Sequence, residues 1–269
     1  MKPLDDYLLV ADMDGTLYKN QDNLPLVNKE AIEKFVNLGG KFTVATGRGI
    51  KTAEFITKLI DFNCPLIVNN GHIFYDYDRE KIVDSVDFPE SAKEFLKLIM
   101  ERFPNAGIEV FSDEDLFVIR ENETVINHLS YEHIEYDLTD LEDVLDLPWQ
   151  KVIVEESEDK IGEIRDFAEK NKPDDLRLLA TSKVFMEFAT TYTDKGTAIL
   201  KLADMLDIPH SNVCAIGNYY NDLEMIEAAG IGAIVNDSPA DLKEIADYIT
   251  TKDCADGALA EFIDYIINL

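Results

Sequence analysis

The chain has 269 residues, 46% of them apolar and 29% charged, which suits one large globular domain or two of moderate size. Its 25 Lys and Arg face 54 Asp and Glu, for a formal net charge of −29. That field repels nucleic acid and anionic membrane, so neither is an expected partner, and a phosphorylated substrate needs local positive charge and a metal to enter.

In chain order, Met1 to Asp6 lacks the apolar segment of a secretory signal, and no apolar run approaches the roughly 20 residues of a membrane helix. The expectation is a cytoplasmic protein. Tyr7 to Ala11 is a continuous apolar run of strand length, as in a parallel strand covered on both faces. It ends in Asp12-Met13-Asp14-Gly15-Thr16-Leu17. After Asn23-Leu24-Pro25, Asn28 is a candidate N-cap for a helix with Ile32, Phe35 and Val36 on one face, stopped by Gly39-Gly40. Lys41 to Thr46 reads as the next strand and runs into Gly47-Arg48. A helix through Ile50 to Ile60 and a strand Leu66 to Val68, ending at Asn69-Asn70-Gly71, continue an α/β alternation.

The pattern then changes. Ile73 to Tyr75 and Lys81 to Val86 read as a hairpin, and Ala92 to Phe103 as an amphipathic helix. Short strands at 108–111 and 116–119, a strand at 151–154, a helix through Ile161 to Ala168 and strands at 176–180 and 184–188 suggest an inserted α+β domain over 83–186. Alternation resumes with a helix opened by Lys195-Gly196 and a strand Val213 to Ile216, which ends in Gly217-Asn218-Tyr219-Tyr220-Asn221-Asp222. A strand at 231–235 ends at Asn236-Asp237, and a helix over 258–267 closes the chain. Cys64, Cys214 and Cys254 are widely spaced and define neither a disulfide framework nor a zinc site. The four histidines show no ligand spacing, and only His72, beside the Asn70-Gly71 turn, invites a test.

The polar clusters of the outer segments all fall at C-terminal ends of predicted strands, the edge where open α/β sheets bind ligands. Asp12 and Asp14 would point to opposite faces of a straight strand, and a bend at Gly15 would let both approach one ion. An oxygen-preferring cation such as Mg²⁺ suits such a pair. An EF-hand does not: counted from Asp12, its position 6 would be Leu17 and its position 12 Asn23. Thr46 and the Gly47 amide can donate to a phosphoryl oxygen. A lysine at a helix start, Lys195, is mildly unfavourable against the macrodipole, so an anionic partner is the sharper explanation. Asn221 can bind phosphate or orient Lys195, and Asp222 can hold the water shell of a metal.

Together these residues resemble the haloacid dehalogenase superfamily of phosphotransferases, most closely its Cof-like phosphatases with a large α/β cap. Asp12-Met13-Asp14-Gly15-Thr16-Leu17 matches the signature of that family, Thr46-Gly47-Arg48 its second motif, Lys195-Gly196 its third and Gly217 to Asp222 its fourth. The resemblance implies an α/β fold with a Rossmann-like parallel-sheet core (1–82 and 187–269) and an inserted α+β cap (83–186). It also implies a Mg²⁺-dependent phosphatase acting on a small phosphorylated metabolite such as a sugar phosphate. Asp12 would be the nucleophile, Asp14 the proton shuttle and Lys195 the third catalytic group. Gly15, Thr46, Gly47, Arg48 and Asn221 would contact phosphate or substrate, and Asp12, Asp14, Asn218 and Asp222 would hold the metal. The family commonly has Asp where this chain has Asn218, which predicts weakened metal binding. A binding protein without turnover and a phosphomutase are the alternatives.

Overall fold

The computed structural model describes residues 3–20 and 24–269. Asn23, placed ahead of the first helix by the sequence, and the Met1-Lys2 start lie outside the described residues. The chain forms two compact units, Met1–Asp84 with Thr193–Leu269, and Ser85–Tyr192.

The first unit begins with β1 (Leu8–Ala11), α1 (Leu26–Asn37), β2 (Lys41–Val44), a single helical turn α2 (Ile50–Ala53), β3 (Leu66–Val68), β4 (Ile73–Asp76) and β5 (Lys81–Ser85). The second holds α3 (Glu90–Arg102), β6 (Gly107–Ser112), β7 (Asp115–Arg120), α4 (Glu123–Tyr131), α5 (Leu141–Val144), β8 (Lys151–Glu155), α6 (Ile161–Asn171), β9 (Leu176–Leu179) and β10 (Phe185–Thr190). Because β10 runs past position 187, the junction between the units falls at 192/193 and not inside that strand. The first unit resumes with α7 (Lys195–Met205), β11 (Val213–Gly217), α8 (Leu223–Ala228), β12 (Ile231–Ile234), β13 (Tyr248–Ile249) and α9 (Ala258–Ile267).

The sheet of the first unit has the order β13-β12-β11-β1-β2, every pair parallel. From β1 the chain moves outward to β2 and later returns on the other side through β11, so strand order reverses at β1. That reversal opens a crevice at the carboxyl ends of β1 and β11. Successive β1 residues serve opposite cores, because side chains alternate across a strand. Leu9 and Ala11 pack with Phe35 of α1 and Phe262 of α9, while Leu8 and Val10 pack with Ile199 and Leu202 of α7. Strand β3 meets the sheet through one parallel bridge, Ala45 to Ile67, and pairs antiparallel with β4.

Asn28 is not the cap of α1. The helix starts two residues earlier, after Pro25, and Asn28 is buried. Its Nδ2 donates to the Leu17 carbonyl at 2.9 Å, and its Oδ1 accepts from the Ala260 amide at 3.0 Å. It therefore ties the loop after β1 to α9.

The second unit has a sheet of order β7-β6-β8-β10-β9, antiparallel throughout. Trp149, Phe95, Phe188 and Val152 lie in its core. Helix α4 was not foreseen from the sequence. Its start is an N-cap, Asn122, whose side chain accepts from the Thr124 and Val125 amides.

Candidate active site

Strand β1 delivers Asp12 to the crevice with its backbone still in the sheet, since the Asp12 amide donates to the Ile216 carbonyl at 2.9 Å. The carboxylate is almost fully buried. Its Oδ1 accepts from Lys195 Nζ at 2.6 Å, and the same ammonium donates to Asp222 Oδ1 at 2.7 Å. Lys195 reaches this position as the first residue of α7, whose amides are capped by Asp194. The Asp194 side chain accepts from the Thr197 amide, and Thr197 Oγ1 accepts from the Asp194 amide.

Two buried carboxylates thus share one ammonium. Burial, with the charge of Asp222, pushes the Asp12 carboxyl up to about 7 against the pull of Lys195. Burial alone would lower the Lys195 ammonium, but the charges of Asp12 and Asp222 hold it above the usual lysine value. The triad carries one excess negative charge, a setting that favours a cation beside Asp12.

Asp222 is engaged on both oxygens. Its Oδ2 accepts from the Asn218 and Tyr219 amides at 2.9 and 3.1 Å. Its carboxylate therefore anchors the loop that carries Asn218, and Gly217 makes the approach possible: a Cβ there would lie 2.4 Å from that of Asp222. The Asn218 amide sits against the first loop, with Thr16 Oγ1 donating to its Oδ1 at 3.3 Å. Gly15 has φ +84°, and a Cβ on it would meet Asn218 Nδ2 at 2.3 Å.

The bend at Gly15 does not turn the two acids onto shared partners. Asp14 is exposed, and its carboxylate is held by Arg48, Nε to Oδ2 at 2.7 Å and Nη2 to Oδ1 at 2.9 Å, and by Tyr18 Oη at 3.2 Å. Arg48, expected as a phosphate or substrate group, contacts the Asp14 carboxylate. Thr46 is buried at the end of β2, where its Oγ1 accepts from the Arg48 amide at 3.1 Å. Asn70, at φ 53°, lies beside Gly47 and accepts on its Oδ1 from Asn221 Nδ2 at 3.4 Å. Asn236 is directed elsewhere, into the 250–253 turn, through Thr250 Oγ1 and Asp253. A cavity of about 600 Å³ lined by Asn63, Pro65 and Asp76 lies at the amino end of β3 and contains none of these residues.

Thr16 and Tyr18 were not singled out as site residues, and Asn70 was read only as part of the Asn69-Asn70-Gly71 strand end. Thr16 and Tyr18 lie next to the acids and carry polar groups into a buried loop, which is the signal that marks them. The geometry gathers one buried acid on an ammonium, one exposed acid on a guanidinium, and an amide loop facing both strand ends. Such a site can attack an electrophile with one carboxylate and move a proton with the other.

The haloacid dehalogenase-like hydrolase family model matches residues 9–263, and the chain belongs to that family. It is therefore a hydrolase by family, and its curated relatives are named as phosphatases. A 5-amino-6-(5-phospho-D-ribitylamino)uracil phosphatase of Bacillus subtilis is 24% identical over 292 aligned positions, covering 97% of this chain and 98% of the relative. An HMP-PP phosphatase of Yersinia enterocolitica is also 24% identical, covering 97% and 96% of the two chains. A solved haloacid dehalogenase-like hydrolase from Bacteroides thetaiotaomicron has a similar fold, with TM-score 0.84 at 21% identity over 97% of this chain and 99% of that one. Among the described residues no helix is long and apolar enough to cross a membrane.

Proposed function

We propose that the protein hydrolyses phosphomonoesters of small phosphorylated metabolites, with Mg²⁺ as cofactor and an aspartyl-phosphate on Asp12 as intermediate. The observation that carries this reading is the buried Asp12–Lys195–Asp222 chain at the reversal point of the sheet. The phosphoribityl substrate named for the Bacillus subtilis relative supports the size and kind of metabolite.

Hydrolases of this family generally use a divalent metal, and the excess negative charge beside Asp12 fits one. Asp12, the backbone at Asp14 and the Asn218 amide would hold it, on a loop fixed by Asp222. When bound, Mg²⁺ supplies positive charge to the transferring phosphoryl oxygens and keeps Asp12 ionised. An Asp12 oxygen forms the new bond to phosphorus as the ester P–O bond breaks. Lys195 offsets charge on the phosphoryl group, and Thr46, Gly47 and Asn221 donate to its oxygens. Asp14 enters this step as the carboxylic acid, turned from the Arg48 fork toward the leaving alkoxide, to which it gives its proton. It then takes one from the water that attacks phosphorus, which releases inorganic phosphate and regenerates Asp12. Arg48 receives the Asp14 carboxylate that is left once the proton is given.

A screen of phosphate esters with Mg²⁺, with Asp12→Asn as the blank, tests the reading. Turnover of sugar or sugar-alcohol phosphates well above the blank is expected. A parent no more active than the blank would hand the fold to the binding-protein alternative.

A further inference from the structure

The second unit contains a buried cluster that plays no part in the chemistry above. Glu109 on β6 and Glu155 on β8 are both fully buried, and each points from the sheet toward His128 on α4. The register explains why they meet. Glu155 stands opposite Gly107, two residues from Glu109 on the same strand face. Gly107 carries no side chain where a Cβ would strike Val125 of α4 at 2.4 Å, so the helix can settle close enough for His128 to reach both acids. His128 Nδ1 lies 2.8 Å from Glu155 Oε1 and 3.1 Å from Glu109 Oε1, and the Phe185 ring, 4.7 Å away, limits how the imidazole can turn.

As a set of side chains alone, the cluster is poorly satisfied. One N–H faces two carboxylates, and the other oxygens, Glu109 Oε2 and Glu155 Oε2, are buried without a hydrogen-bond partner. Burial, against the hydrogen bond from His128, pushes the Glu155 carboxyl up to about 8, so near neutral pH a protonated His128 faces one carboxylate and one neutral acid. A buried carboxylate oxygen without a donor has lost its water and gained nothing in exchange.

We propose that Glu109, His128 and Glu155 bind a divalent transition-metal ion of the zinc class. Two carboxylates and a neutral imidazole around a dication make an electrically neutral site and give the lone oxygens a partner. The nitrogen ligand favours zinc-like ions over Mg²⁺, which takes oxygen donors. One ligand atom from each residue lies within 4.8 Å of the others. A tetrahedral Zn²⁺ with ligands near 2.0 Å needs roughly 3.3 Å between them, which side-chain adjustment supplies. The fourth position is left for water, and the partly exposed His128 edge gives the ion a way in. Without an ion, burial works against the imidazolium, but hydrogen bonds to Glu109 and Glu155 push His128 up to about 10. Metal binding would displace that proton.

The test is dialysis of the full chain against micromolar Zn²⁺ with Mg²⁺ in large excess, followed by counting of bound zinc. The parent, Asp12→Asn and the Glu109→Gln/Glu155→Gln double variant are compared. The parent and Asp12→Asn should share about one equivalent that the double variant loses, with retention at least roughly tenfold weaker. No zinc on the parent, equal zinc on the double variant, or loss of all zinc in Asp12→Asn would overturn the proposal. A second measurement needs no variant and covers a double variant that fails to fold. In the parent with ¹⁵N-labelled histidine, one imidazole Nδ1 should pass from the imidazolium to a metal-bound resonance as Zn²⁺ is added. Four unchanged imidazoles would count equally against the site.

Discussion

Arg48 holds Asp14 through a two-point contact, Nε to Oδ2 at 2.7 Å and Nη2 to Oδ1 at 2.9 Å. The geometry fixes the carboxylate plane, which a lysine in the same place would not do. Exposed Asp14, the proton shuttle of the proposed mechanism, is therefore held by a residue one strand away in the sheet, while Asp12 is held by Lys195 from α7.

Arg48→Lys should lower kcat by roughly tenfold and leave KM within a few-fold, because positioning of a proton-transfer group acts on the transition state. Steady-state kinetics on the best ester from the screen would check it. A rise in KM at unchanged kcat would instead assign Arg48 to substrate binding.

Gly15→Ala places a side chain at φ +84° and against the Asn218 amide. The left-handed backbone alone costs about 1–2 kcal/mol. The loop displacement should also raise the Mg²⁺ concentration needed for half-maximal activity. Thermal denaturation and a Mg²⁺ titration separate the two effects, and an unchanged Mg²⁺ requirement would remove Asn218 from the metal site.

Asn218→Asp restores a carboxylate at the end of a loop that Asp222 already fixes through two amides. The added charge should lower the activating Mg²⁺ concentration by roughly tenfold. No gain would mean that Asn218 is not a ligand.

The thiols give a pH dependence. Burial pushes both Cys64 and Cys214 up to about 12, from 9.0 in an exposed thiol. Their contribution to stability is complete below pH 9, where folded and unfolded thiols are both protonated. It is lost as pH rises from 9 toward 12, because the unfolded chain ionises first. The melting temperature should fall over that interval, and less steeply in Cys64→Ala/Cys214→Ala. Identical slopes would show that other groups govern alkaline unfolding.

The strand ends were legible in the sequence because apolar runs stop abruptly at acids, amides and glycine, a pattern that turns alone do not require. What was hidden depended on partners distant in the chain. Asn28 looked like a helix cap, since an amide before an apolar face serves a cap or a buried bridge equally well. Asp222 carried a carboxylate at a motif position, but only the fold shows both oxygens taken, one by Lys195 and one by two backbone amides. Helix α4 escaped because its apolar face is only Val125 and Leu129, though Asn122 was a readable cap. The Glu109–His128–Glu155 cluster had no ligand spacing to find. Its residues come from two strands and a helix, and the one clue was a glutamate inside the apolar run Ile108-Glu109-Val110-Phe111.

In the proposed mechanism Asp12 carries the phosphoryl group. Acid quenching during turnover, followed by borohydride reduction, converts an aspartyl-phosphate to homoserine at the modified position, which peptide mass spectrometry locates. Homoserine is expected at position 12 in the parent and is absent in Asp12→Asn. Steady turnover with no reduced residue at Asp12, or with the label at another carboxylate, would contradict it.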